Sequence, residues 1–119
     1  MSFIDPIIAA AEQGDADAQC RLARQYRTGL GVPKDFKKEA AWYRKAAEQG
    51  HAGAQCCLGD MYNDGRGLPQ SFRQAAIWYR KSAEQGDTVG QCSLGDMYLH
   101  GRGVQQSDQK AASWYGKAA

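Results

Sequence analysis

Ala54-Gln55-Cys56-Cys57-Leu58-Gly59-Asp60-Met61-Tyr62, followed by Gly65-Arg66-Gly67 and then Trp78-Tyr79, is the stretch that decides the fold. Its landmarks recur 36 residues to either side: Gln19, Gln55 and Gln91; Leu22, Leu58 and Leu94; Tyr26, Tyr62 and Tyr98; Trp42, Trp78 and Trp114. A fixed period of this size marks stacked supersecondary units that share one continuous core, because no single unit can bury its apolar face alone. The expected architecture is an elongated all-α solenoid.

Within a copy, two helical segments are separated by a glycine turn. Helix A of the first copy is expected over 16–28, capped by Asp15, with His51 and Asp87 at the equivalent caps. Ala18, Gln19, Leu22, Gln25 and Tyr26 gather on one face, which is therefore core. Gly29, Gly65 and Gly101 suit the left-handed residue that closes a helix. Position 23 is alanine, then Gly59 and Gly95, a site where a neighbouring helix can approach closely. Helix B starts at Asp35, Ser71 or Ser107 and alternates alanines with Trp and Tyr, a packing pattern for antiparallel helix pairs. The opening Asp5-Pro6-Ile7-Ile8 matches the later part of a helix B, with Asp5 as cap and Pro6 at the first helical position. The organisation is one domain over 1–119: a capping helix (1–14), repeats over 15–50 and 51–86, and a third over 87–119, about seven helices in all. The third repeat stops before the Glu-Gln-Gly that closes the others, so a fragment of a longer secreted chain is the alternative. That ending also leaves an apolar stacking face through which copies could self-associate.

Composition narrows the function classes. With 43% apolar and 24% charged residues the chain is in the globular range. A net charge of +2 from 15 basic and 13 acidic groups is too small to imply a surface that tracks phosphates or an anionic membrane, so neither nucleic acid nor membrane is an expected partner. The first residues lack the basic region of a secretory signal and carry Asp5 and Pro6 within their apolar stretch, which points to the cytoplasm.

Cys20, Cys56 and Cys92 share one repeat position, on helices roughly 8–10 Å apart. That exceeds the roughly 7 Å a disulfide spans without backbone movement, so these and Cys57 are expected as free thiols. No Cys or His spacing fits a metal site, no phosphate loop is completed, and no cofactor is expected. His51 is expected to cap a helix, while Cys92 and His100 are rotated by about 80° around one helix, the wrong geometry for an activated thiolate. No catalytic residue emerges.

The joint pattern, Ala-Gln-x-x-Leu-Gly-x-Met-Tyr-x-x-Gly-x-Gly and then Ala-x-Trp-Tyr-x-Lys-x-Ala-Glu-Gln-Gly, resembles the Sel1-like repeat, a relative of the tetratricopeptide repeat, over essentially the whole chain. The resemblance implies a right-handed α-solenoid of antiparallel helix pairs that serves as a protein-binding adaptor or scaffold in bacterial signalling and host interaction, and not an enzyme. A cysteine-rich bacterial branch is associated with β-lactam binding or hydrolysis and staples each helix B to the next helix A by disulfides. This chain has Ala47 with Gln55 and Ala83 with Gln91 at those places, a departure that argues against that branch and its activity. Asp108, where other copies have Phe36 and Phe72, makes the last repeat the least well packed.

Positions that differ among copies on an exposed face are free to specialise. Opposite the core side of helix A lie Asp17, Arg21, Arg24, Arg27 and Thr28; then Gly53, Cys57, Asp60, Asn63 and Asp64; then Val89, Ser93, Asp96, Leu99 and His100. In superhelices of this kind the A helices line the concave side. The expected groove is basic at one end through Arg21, Arg24 and Arg27 and acidic at the other through Asp60, Asp64 and Asp96. Such a cradle suits a peptide or helix of another protein with complementary charges.

Overall fold

The computed structural model describes residues 4–119. Seven helices follow one another: α1 (Ile4–Glu12), α2 (Ala16–Thr28), α3 (Phe36–Glu48), α4 (Ala52–Asp64), α5 (Phe72–Glu84), α6 (Thr88–His100) and α7 (Asp108–Ala118), with no strand among the described residues. Helices α2, α4 and α6 are the A helices, and α3, α5 and α7 the B helices.

The helix boundaries follow local chemistry. The side chains of Asp15, Asp35, Ser71, Asp87 and Ser107 each accept a backbone N–H from three residues on, and the imidazole of His51 does the same for Ala54. These bonds satisfy donors that the first turn of a helix leaves orphaned. Each A helix stops at a glycine in the left-handed region, Gly29 at φ 78°, Gly65 at 69° and Gly101 at 65°. The expected cap at Asp5 is corrected: α1 already begins at Ile4, so Asp5 and Pro6 occupy its first turn. There the carboxylate faces orphaned N–H groups and proline loses no bond.

Each helix packs chiefly on its neighbours in the chain, with a weaker contact between α4 and α6. The result measures 53 × 25 × 19 Å, and its radius of gyration of 15.0 Å exceeds the roughly 13.5 Å of a compact domain of this length. The core is continuous across repeats. Ala23, Tyr43, Leu58, Met61 and Trp78 belong to one cluster although they come from α2, α3, α4 and α5. Cys56, Tyr79, Leu94, Tyr98 and Ala111 form the next. In α7, the last helix described, Ala111 is the buried residue, packed in one cluster with Leu94 and Tyr98 of α6.

A polar spine runs beside this core. Nε2 of Gln19 donates to the carbonyl of Ala11, Nε2 of Gln55 to that of Ala47 and Nε2 of Gln91 to that of Ala83, at 3.1–3.2 Å. The Oε1 atoms of Gln19 and Gln55 in turn accept from Nε2 of Gln49 and Gln85, at 2.9 and 2.8 Å. Every junction from a B helix to the next A helix is thus closed by an amide clasp, a second bond to a carbonyl that also accepts the N–H of Gly14, Gly50 or Gly86. The clasps at 47/55 and 83/91 occupy the places where the resemblance implies disulfides in its cysteine-rich branch.

Candidate functional site

Between α4 and α6 lies a depression of about 230 Å³, lined by Asp60, Asn63, Tyr79, Ser93, Asp96 and Arg102. The 36-residue period brings these groups together, since Asp60 and Asp96 hold equivalent places on successive A helices. The hydroxyl of Tyr79 donates to Oδ1 of Asp60, and that of Tyr115 to Oδ1 of Asp96. Burial raises the Asp60 carboxyl, and the bond from Tyr79 partly offsets this. Burial and the Asp60 bond hold the Tyr79 phenol far above its ordinary value, while the bond to Asp96 pushes Tyr115 up to about 12. Arg102 stacks over the ring of Phe72 at 5.4 Å.

One repeat earlier the same geometry carries the opposite charge. Arg24 stands where Asp60 and Asp96 stand, so Tyr43 has no carboxylate to bond; its buried hydroxyl has the Cys57 thiol beside it instead. Glu39, 0% exposed, receives Nη2 of Arg66 on its Oε2 at 3.2 Å. Desolvation raises the Glu39 carboxyl, and Arg66 pulls it back down. The other copies have Ala75 and Ala111 at this place, so the buried pair is peculiar to the junction of repeats one and two.

The remaining expected site residues fall into distinct surroundings. Arg21, Arg24 and Arg27 are exposed on α2, Asp64 and His100 on the last turns of α4 and α6, and Ser93 is half-exposed beside Asp96. Thr28 bonds the carbonyls of Arg24 and Gln25 and receives the N–H of Leu30, so its hydroxyl serves the helix end. Asp64 lies 4.0 Å from Arg66. Asp17 accepts from Nε2 of His51 at 2.9 Å. With Sγ of Cys20 at 3.7 Å from Nδ1, Asp17, His51 and Cys20 have the outline of a thiol triad. The chemistry is otherwise: Nδ1 is occupied by the N–H of Ala54, and burial pushes the Cys20 thiol up to about 11, away from a thiolate.

All four cysteines are free. The shared repeat position of Cys20, Cys56 and Cys92 does not give them a shared environment: Cys20 and Cys56 are buried and Cys92 is exposed, while the neighbouring Cys57 is half-buried. Burial raises the Cys56 thiol to about 12. Among the described residues no three His, Cys, Asp or Glu side chains could hold a metal ion, and no helix is long and apolar enough to cross a membrane.

Sequence reasoning placed Asp60, Ser93 and Asp96 together but missed Tyr79 and Arg102, which complete the depression. Tyr79 belongs to the repeated Trp-Tyr pair and reads as packing; the signal for its polar role was the joint appearance of Gly59-Asp60 and Gly95-Asp96 against Ala23-Arg24.

The Sel1 repeat profile matches residues 16–51, 52–87 and 88–119. The chain is similar to a protective antigen of uropathogenic Escherichia coli displaying an SLR fold, with 42% identity and a TM-score of 0.92 over 94% of this chain. It spans only 24% of that protein's length. A Sel1 repeat protein from Oxalobacter formigenes matches with 37% identity and a TM-score of 0.87, covering 95% of this chain and 85% of that one. Helicobacter pylori cysteine rich protein B, at 23% identity and a TM-score of 0.74, covers 98% and 89% and shares the fold. None of the curated proteins compared with the chain matches it.

Proposed function

The chain belongs to the Sel1 repeat family, and on that premise we propose that it is a non-catalytic adaptor that binds a peptide or helix of another protein along its A-helix surface. Sel1 repeats are generally protein-interaction modules on a non-catalytic scaffold. The observation that carries the finer reading is the order of charge along that surface: Arg21, Arg24 and Arg27 on α2, then Asp60 and Asp64 on α4, then Asp96 on α6. Cys57 and Ser93 lie between these charges, with Asp17, Thr28 and His100 at the margins. A partner segment with acidic residues at one end and basic residues at the other matches this order. The charges set its orientation and encounter rate, while affinity comes from a few desolvated anchors. The depression between α4 and α6 is the natural anchor for a basic side chain. Four free thiols, three of them raised above their ordinary value by burial, suit a reducing cytoplasm.

The test is affinity capture from source-cell lysate with the native chain and with Arg21→Glu/Arg24→Glu/Arg27→Glu. These three arginines are exposed, whereas Asp60 and Asp96 are tied to tyrosines, so the α2 variant changes charge without disturbing the frame. A protein retained by the native chain and lost with the variant supports the reading; equal retention by both moves the site off the A-helix surface.

A further inference from the structure

We propose that the outer face of α5 is a second docking groove, separate from the A-helix surface, for an acidic helix that carries one bulky apolar side chain. The starting observation is a charge partition that the net value of +2 conceals. Helices α3, α5 and α7 hold nine of the fifteen Lys and Arg but four of the thirteen Asp and Glu, a net of +5, so the rest of the chain carries −3. One of those four acids, Glu39, is buried against Arg66, which leaves the outer B-helix face more basic still.

On α5 this face is shaped. A groove of about 420 Å³ runs between α5 and the turn at Gly103-Val104, with Ala76, Ile77 and Val104 as its apolar floor and Arg73, Arg80 and Lys81 around it. Ile77 is 42% exposed. The equivalent positions are Ala41 and Ser113, so the repeat frame does not require a large apolar side chain here. Two of the cations are held in place: Arg80 donates to the hydroxyl of Tyr98, and Lys81 lies over the ring of Trp78 at 4.7 Å. Charges already ordered in this way lose less conformational entropy when they take a partner.

The spacing defines the occupant. Arg73 and Lys81 are eight residues apart on one helix, about 12 Å. That separation matches two carboxylates about two turns apart on an opposing helix, with an apolar residue between them to meet Ile77. Glu84 closes the groove at the C-terminal end of α5 and repels a further acid beyond the one that meets Lys81. A phosphate backbone fits less well, because Glu48 and Glu84 interrupt the basic face and the groove floor offers aliphatic side chains instead of a stacking ring.

The test selects a displayed library of randomised helical peptides on a chain already carrying Arg21→Glu and Arg24→Glu, so that the fate of the A-helix reading does not enter. The best selected peptide is labelled and titrated by fluorescence anisotropy against that chain and against the same chain with Ile77→Glu or Lys81→Glu added. Both side chains are exposed, and circular dichroism verifies that the variants fold. The expected peptides carry an acidic pair about two turns apart flanking Leu, Phe or Trp, and either substitution weakens binding about tenfold or more. Peptides without the acidic pair, affinities unchanged by both substitutions, or tighter Lys81-dependent binding of a DNA duplex or of phosphatidylserine vesicles would each overturn the proposal.

Discussion

The hydroxyl of Tyr79 donates to the carboxylate of Asp60 across the A and B helices of one repeat, and it does so over a residue with no side chain. A Cβ on Gly59 would stand 2.7 Å from two ring carbons of Tyr79 and 3.3 Å from the carbonyl of Ala75. Gly95, Asp96 and Tyr115 repeat the arrangement, with a Cβ 2.8 Å from the ring. The first repeat has Ala23, Arg24 and Tyr43 instead, and there the hydroxyl has no carboxylate, only the Cys57 thiol beside it. Glycine, acid and tyrosine therefore act as a set: the missing side chain admits the ring, and the acid gives its hydroxyl an acceptor.

Gly59→Ala should destabilise the chain by about 1–3 kcal/mol through overpacking, against an intrinsic helix preference for alanine of about 1 kcal/mol. Gly116, also within a helix, meets nothing within 4 Å, so Gly116→Ala should be neutral or stabilising by up to about 1 kcal/mol. Urea denaturation of the two variants checks the contrast, and equal effects would refute the close-approach explanation.

Arg66→Ala leaves the Glu39 carboxylate buried without its partner. A loss of about 2–3 kcal/mol is expected at neutral pH, less than for a fully buried pair because the Arg66 side chain keeps 28% of its exposure. The folded-state carboxyl of Glu39 is raised above its ordinary value of 4.5, so the folded chain holds that proton more tightly than the unfolded one. The associated stability is fully present below 4.5 and is lost as pH rises through the folded value. Without Arg66 that value rises further, so the deficit of the variant should shrink as pH falls from 7 towards about 4.5. Thermal unfolding over this range is the measurement, and a pH-independent deficit would contradict it.

Thiol labelling should resolve the cysteines in sequence. At pH 8 iodoacetamide should modify exposed Cys92 first, half-buried Cys57 more slowly, and Cys20 and Cys56, raised to about 11 and 12, essentially only on unfolding. Peptide mapping by mass spectrometry reads the order, and Cys20 labelling as fast as Cys92 would disprove the burial argument.

Gln55→Leu removes the donor to the Ala47 carbonyl and the acceptor of the Gln85 amide in one change. The Ala47 carbonyl keeps the N–H of Gly50, so the cost is that of the lost amide bonds, about 0.5–1.5 kcal/mol, which for a chain of this size lowers the midpoint by roughly 2–6 °C. The solvent-exposed Gln70, whose amide bonds only the carbonyl of Asn63 at a helix end, is the control and should cost less than about 0.5 kcal/mol as alanine. Calorimetry distinguishes the two.

Much of the fold was legible because it is written three times. Asp15, His51 and Asp87 mark the same cap, and Gly29, Gly65 and Gly101 the same stop, so a weak local signal becomes strong by recurrence. The site was legible only where copies differ visibly on one helix face, as at Arg24, Asp60 and Asp96. Glu39 escaped notice because its partner Arg66 lies in the following repeat, 27 residues on, and no pattern within a repeat links them. The roles of Gln49 and Gln85 were hidden for a similar reason: an exposed glutamine at a helix end reads as solvated until the amide 30 residues earlier is seen to face it.

The amide clasps at the B-to-A junctions have a mechanical consequence. A covalent staple fixes the pitch of a solenoid until chemistry breaks it, whereas a hydrogen-bonded clasp opens under load and closes again when the load is removed. Each junction here is held by one side-chain amide on one carbonyl, backed by a second amide in the first two repeats. Stretching such a chain should open these amides together with the apolar contacts that span each junction, such as Ala46 and Ala47 with Ala54 and Leu58, and both can re-form on release without any covalent bond being reshuffled.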